Sequence, residues 1–179
     1  MSPNSILFKS FSKVNLGLKI LDLLPDNYHS IFTIMQEIDL HDTIHFQKNL
    51  EKKINFKTDG TIIVPNDKTN LCYKAAKLIF ENYTISSGIN VHLTKNIPIG
   101  AGLGGGSSNA ATVLRALNDM FNLKIKNREL KELAMELGCD VPFFINGGTQ
   151  IAEGKGEILT PLNIDISQYY FLLVFPSFQ

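Results

Sequence analysis

Between Pro98 and Asn118 the chain reads PIGAGLGGGSSNAATVLRALN, with five glycines among the seven residues from Gly100 to Gly106. Glycine loses more backbone freedom on folding than any other residue. A cluster this dense therefore serves either a conformation closed to L side chains or a backbone that something must approach closely. The residues after it narrow the choice. Ala110, Val113, Leu114, Leu117 and Phe121 recur at helical spacing, with Ser107 or Ser108 as the expected N-cap. A glycine-rich loop running into a helix suits phosphate, because first-turn N–H groups lack intrahelical partners and the helix dipole favours negative charge there. The hydroxyls of Ser107 and Ser108 would donate to phosphate oxygens, and one of them would help to hold Mg2+. The competing reading is a serine cap after a tight turn.

Other phosphate loops fail on context. Gly100-x-Gly102-x-x-Gly105 matches the dinucleotide fingerprint in letters only, since no strand ending in an acidic residue follows promptly and Asp119 lies within the helix. No Lys precedes Ser107, which excludes a Walker A loop. The HRD and DFG motifs of protein kinases are also absent.

The rest of the chain predicts an α+β domain. Lys13–Leu21 alternates as a half-buried strand, with Val14, Leu16, Leu18 and Ile20 on the apolar face and Lys13, Asn15 and Gly17 on the polar one. Further strands are expected at Ile31–Ile38, Thr43–Phe46, Ile54–Phe56, Thr61–Val64 and Ile89–Leu93, a hairpin near Gly147-Gly148, and a last apolar strand at Tyr169–Phe175. Asn70 caps a helix bearing Leu71, Ala75, Leu78 and Ile79; Asn127 begins another, with Leu130, Leu133, Ala134 and Leu137 inward and Gly138 as its stop. Strands early and helices late favour helices on one side of a mixed or mostly antiparallel sheet.

Lys plus Arg and Asp plus Glu both number 17, a balance that argues against nucleic acid or an anionic membrane as the main partner. Cys72 and Cys139 are isolated and read as reduced thiols, which suggests a cytoplasmic setting. The N-terminus lacks a signal-peptide core, and the Tyr169–Phe175 run is too short to span a bilayer.

PIGAGLGGGSSNAA resembles the nucleotide-binding motif of the GHMP kinases. Further segments extend the likeness in the family's order: SFSKVNLGLKI, DNYHSIFTIMQEIDLHDTI, TNLCYKAA, GCDVPFF and AEGKGEILTPL. The resemblance implies an N-terminal domain like the second domain of ribosomal protein S5. It implies transfer of the γ-phosphate of ATP, with Mg2+, to an alcohol. The branch most similar acts on the 2-hydroxyl of a cytidine diphosphate-linked methylerythritol, in non-mevalonate isoprenoid biosynthesis. Carried onto matching positions, Lys13 and Asp140 become the catalytic pair. Pro98, Ile99, Gly100, Ala101, Gly102, Leu103, Gly104, Gly105, Gly106, Ser107 and Ser108 become the ATP loop, with Asn70 and Lys95 near the nucleotide. Asn15, Tyr28 and His29 face the cytidyl substrate.

Two departures from the family pattern stand out. Asn27 replaces the usual glycine before Tyr28-His29, although Asn tolerates positive φ better than most residues. Family members also continue by a further domain-sized piece, which carries another glycine-rich motif. The expected division is a domain over 1–164 and the start of a truncated C-terminal domain over 165–179. That division implies weak activity for this chain alone and self-association through its exposed end.

Asp140, between a helix and Pro142, is suited to accept the hydroxyl proton, and Lys13 to hold Asp140 and offset charge. Without the resemblance the two read as a capping residue and a surface charge. Tyr28 would stack on cytosine and His29 would hydrogen-bond it; His41, His45 and His92 read as structural. Two alternatives stay open: a GHMP kinase for another alcohol, and a catalytically silent ATP-binding fragment. An RNA-binding module, suggested only by the S5-like architecture, fits poorly with neutral charge.

Overall fold

In the computed structural model, which describes residues 5–25, 27 and 29–175, one long strand organises the fold. β1 (Ser5–Leu23) and β2 (His29–Asn49) form an antiparallel ribbon paired along nearly its whole length. The opposite edge of β2 is divided between two partners. β4 (Gly88–Lys95) pairs with Thr43–Asn49, and β5 (Thr149–Gly154) pairs with Ile31–Gln36, both antiparallel. β3 (Ile54–Gly60) lies parallel to β4, and β6 (Ile158–Pro161) closes the other side against β5. The sheet is mixed, as the order of elements predicts.

The divided edge creates the place for a site. Between Gln36 and Thr43, neither β4 nor β5 pairs with β2. Here the chain leaves β4 for the glycine loop and later returns to β5. β1 is irregular at the same level, because its pairing jumps from Phe11↔His41 to Ser12↔Ile38 and leaves Asp39 and Leu40 unopposed. Such a bulge bends a strand and re-aims side chains. Ser12 and Lys13 are both buried as consecutive residues, which an unbroken pleat would not allow on a half-buried sheet.

Helices α1 (Leu71–Asn82), α2 (Gly105–Met120), α3 (Asn127–Leu137) and the single turn α4 (Phe143–Asn146) share one core with the sheet. Its floor is Ile44 and Phe46 of β2 with Ile89, Val91 and Leu93 of β4, all alternate residues facing one side. α2 is the central helix. Its small Ala110, Ala111 and Ala116 let it approach the neighbouring elements closely, while Leu114 and Leu117 fill the layer beneath. Truncating a leucine so placed costs about 2–5 kcal/mol. Asn70 caps α1 as expected, accepting from Cys72 N at 2.9 Å, and Gly138 ends α3. Both cysteines are free, and burial pushes the Cys72 thiol up. His41, His45 and His92 hydrogen-bond to Asp39 O, Ser5 Oγ and Asp59 Oδ2 respectively.

Several local expectations are corrected. Leu16, Leu18 and Ile20 are 45%, 54% and 64% exposed, whereas Lys13 of the supposed solvent face is buried. Helical cover reaches only the first half of β1, and the bulge reverses the phase at Lys13. Thr61–Val64 is not a strand: Thr61 N still reaches Lys95 O at 3.1 Å, but β4 then turns away and leaves no ladder to join. Ile31–Ile38 and Thr43–Phe46 are one continuous strand. Gly147 and Gly148, both at positive φ, turn α4 into β5, and the hairpin lies instead between β5 and β6. Tyr169–Phe175 is an exposed, unpaired segment rather than a strand. No helix among the described residues is long and apolar enough to cross a membrane.

Candidate active site

The glycine loop answers the question its composition poses, and its glycines have different reasons to be there. Gly100, Gly102 and Gly104 alternate in the left-handed region, with φ of 73°, 71° and 67°. Around Gly100 and Gly102 a side chain would meet open space, so the backbone conformation alone calls for glycine. At Gly104 a Cβ would also stand 2.7 Å from the Phe144 ring and 3.3 Å from Lys13 Cγ. At Gly105, contact alone forbids a side chain, since a Cβ would lie 2.8 Å from Lys95 Nζ and 2.9 Å from Ile97 Cγ2. Gly106 has room for a methyl group, the nearest atom being Leu71 Cδ1 at 3.5 Å.

The helix cap differs from the serine expectation. Gly104 is the N-cap of α2, without a side-chain cap bond, and Ser108 N donates the first intrahelical bond to Gly104 O at 2.8 Å. Left-handed φ at Gly104 lets the chain enter the helix at once, before either serine. The N–H groups of Gly105, Gly106 and Ser107 thus precede the first intrahelical donor and open on a cavity of about 390 Å³. Pro98 to Ser107 line that cavity, together with Asn70, Leu71 and Lys95. Its shape and its bare helix N-terminus fit a phosphate chain.

The two serines part company. Ser107 lines the cavity, while Ser108 is buried and its hydroxyl meets Ser10 Oγ at 2.8 Å. Asn70 shapes the wall with both ends of its amide, accepting from Cys72 N and donating to Pro65 O at 2.8 Å. Lys95 lies at the cavity floor with its ammonium turned inward to Asp42 Oδ2 at 2.5 Å.

β1 brings the acid–base candidates to this loop. Lys13 N donates to Leu103 O at 3.0 Å, which fastens the glycine loop to the strand beside the bulge. The Lys13 stem passes Gly104, and its Nζ donates to Asn15 Oδ1 at 3.1 Å and stands 3.9 Å from Asp140 Oδ2. Asp140 is held in the turn between α3 and α4, where its side chain remains 39% exposed. A carboxylate partly open to solvent and facing a buried ammonium can receive a proton from a bound hydroxyl. Lys13, Asn15 and Asp140 are therefore brought together, adjoining the glycine loop.

His29 is exposed at the start of β2, at the far end of the ribbon, where it pairs with Leu23. Asn27 in the same turn has φ of 65°, the conformation for which a glycine would otherwise be used. Tyr28 lies outside the described residues. No group of three or more metal-ligating side chains is assembled among the described residues. Mg2+ carried with a triphosphate needs only one or two protein oxygens, and Ser107 is the loop hydroxyl on the cavity.

Residues 70–148 match the family model described as GHMP kinases N terminal domain. The chain is 45% identical over 173 residues to the 4-diphosphocytidyl-2-C-methyl-D-erythritol kinase of Clostridium botulinum (strain Hall). The match covers 97% of this chain and 61% of that relative. A crystal structure of 4-(cytidine 5'-diphospho)-2C-methyl-D-erythritol kinase superposes with a TM-score of 0.77 at 36% identity, covering 89% of this chain and 56% of that one. The Methanococcus jannaschii mevalonate kinase shares the fold, with a TM-score of 0.68 at 18% identity over 94% of this chain and 59% of its own. The chain spans about three fifths of the length of the curated relatives it matches.

Proposed function

Because the chain carries the N-terminal domain of the GHMP kinases, we propose that its glycine loop holds the triphosphate of ATP while Lys13 and Asp140 serve transfer of the γ-phosphoryl group to an alcohol. The observation that carries this reading is the junction of three parts. An uncapped α2 N-terminus and a left-handed glycine run line one cavity, and the Lys13–Asp140 pair adjoins them. Phosphoryl transfer asks a protein mainly for positioning and charge stabilisation. Holding the acceptor in line with phosphorus supplies about 7–11 kcal/mol of the barrier.

In this reading the N–H groups of Gly105, Gly106 and Ser107 bind phosphate oxygens. Ser107 supplies a hydroxyl to them or to Mg2+, which neutralises phosphate charge when bound. Asp140 takes the hydroxyl proton as the acceptor oxygen bonds to phosphorus and the bond to ADP opens. The proton moves late, because an alcohol is a far weaker acid than a carboxylic acid. Lys13 orients Asp140 and offsets negative charge on the transferring group. Ser108, bound to Ser10, supports the loop from beneath.

The acceptor we propose is the 2-hydroxyl of 4-diphosphocytidyl-2-C-methyl-D-erythritol, on the strength of the relatives' names and the extent of the match. Asn15, Tyr28 and His29 would serve its cytidyl end, and free cysteines suit a cytoplasmic setting. Titrating 15N-labelled chain with ATP·Mg should shift the amide resonances of Gly100 to Asn109, and unmoved resonances would overturn nucleotide binding. ADP release with the diphosphocytidyl substrate, set against homoserine and mevalonate, tests the acceptor. Turnover with one of those two alone would assign a different alcohol.

A further inference from the structure

Beneath the glycine loop lies a carboxylate that neither the motif nor the acid–base pair includes. Asp42 of β2 is fully buried, in phase with the core residues Ile44 and Phe46. Four donors converge on it. Oδ1 accepts from Asn96 N at 2.6 Å and from Ile97 N at 2.8 Å, the two amides that launch the loop from β4. Oδ2 accepts from Lys95 Nζ at 2.5 Å and from Asn109 Nδ2 at 2.8 Å, the latter on the helix that the loop becomes. Asn109 Nδ2 also donates to Ser10 Oγ at 2.9 Å, which in turn meets Ser108 Oγ.

We propose that Asp42 is a positioning residue for the nucleotide loop, tying its departure from β4 and its arrival in α2 to one carboxylate while it neutralises Lys95. This rests on the reading of that loop as the triphosphate site. A buried carboxylate needs hydrogen bonds beyond its ion pair, and donors from any neighbouring element would supply them. Here three of the four donors belong to the two ends of the loop. The charge arrangement has a second consequence. The Lys95 ammonium lies directly under Gly105, at the positive end of α2, where a cation is unfavourable. Asp42 cancels it from within, so that the first-turn amides keep their positions and their potential for a ligand entering from the cavity side.

The test uses the 179-residue chain. In Asp42→Asn, one end of the new amide still accepts from Asn96 and Ile97, but its NH2 faces Lys95 and Asn109, which are donors themselves. Amide hydrogen exchange over residues 98–109 should rise about tenfold or more, with α1 and α3 unchanged. The Lys95 ammonium 1H–15N signal, slow to exchange while Asp42 holds it, should vanish. ATP·Mg affinity should fall about tenfold with the fold intact, a change that a purely structural ion pair would not produce.

Asn109→Ala cuts the α2 arm together with the bond to Ser10 Oγ and leaves no charge unpaired, so it decides the matter if Asp42→Asn does not fold. Faster loop exchange in that variant supports the proposal, and unchanged exchange overturns it. Loosened exchange with unchanged ATP affinity also overturns it. Loosened exchange in a chain whose unsubstituted form binds no ATP leaves Asp42 as the fastening of the loop and removes the kinase reading instead.

Discussion

The backbone of Gly104 lies against the ring of Phe144, so near that a methyl group would stand 2.7 Å from its Cζ. Phe144 belongs to α4, the turn that follows Asp140, so this contact sets the glycine loop against the element that presents the carboxylate. Gly104→Ala combines a left-handed φ with a collision against a ring and the Lys13 stem. It should destabilise the chain by about 2–4 kcal/mol, read as a lower urea midpoint. Gly102→Ala, with the same φ sign but open space around it, should lose only about 1–2 kcal/mol. Equal losses at the two positions would show that the ring contact contributes nothing.

Gly106 provides the opposite case. It lies in the first turn of α2, has no positive φ, and would bring a Cβ into ordinary contact with Leu71. Gly106→Ala should therefore stabilise the free chain by about 0.5–1 kcal/mol. The added methyl group borders the cavity, so ATP affinity should fall even as the thermal midpoint rises. Parallel gains in both would place the phosphates elsewhere.

Glu37 gives a dependence on pH. Its carboxyl faces the backbone of Gly147, and burial raises its pKa above the usual value, while the Arg115 guanidinium and a bond to Gly148 pull the other way without prevailing. A raised folded-state pKa means that the native state holds the proton more tightly than the unfolded chain. The contribution of this group is then fully present below about pH 4.5 and is lost as pH rises through the higher folded value. Glu37→Gln should raise the melting temperature at pH 7 and leave it nearly unchanged near pH 4. A gain of equal size at both would assign the effect to packing rather than to ionisation.

Most local signals in the sequence were faithful where the physics is local. Asn70 as a cap, the stripe of α2, the stop at Gly138 and the left-handed tolerance of Asn27 all depend on neighbours within a few residues, and each appears in the structure. Most of the failures depend on partners far along the chain, the exception being the α2 cap, where left-handed φ at Gly104 starts the helix before either serine. Thr61–Val64 has strand composition but no ladder once β4 has turned away, and the β1 alternation goes out of phase at a bulge set by the pairing with β2. Of the candidate site, the motif pointed to the glycine loop, and only the family resemblance pointed to Lys13 and Asp140, whose side chains stand 3.9 Å apart. Asp42 escaped because a lone Asp in a strand gives no motif. Its legible sign was phase: Asp42 shares the inward face of Ile44 and Phe46, and Lys95 that of Val91 and Leu93, so each strand carries one charge in its apolar series. Two opposite charges on inward faces of adjacent strands can be buried together only as a pair.

Asp140 and Lys13 make the sharpest claim on chemistry. If Asp140 accepts the hydroxyl proton, Asp140→Asn keeps its size and most of its hydrogen-bonding reach but loses the base. General-base contributions of this kind are about 10²–10⁴-fold, so ADP release by a form that turns over should drop by that factor. ATP·Mg binding should persist within about threefold, because Asp140 does not line the cavity bordered by the glycine loop and its side chain is partly exposed. Lys13→Met should behave differently. Its stem supports Gly104, and its backbone N–H would still hold Leu103, so the loop should survive while the charge facing Asp140 is lost. Turnover should fall in both single variants, and the double variant should lose less than the sum of the two, as expected of groups acting as a unit. Full additivity would mean that the 3.9 Å approach of Lys13 to Asp140 has no part in the reaction.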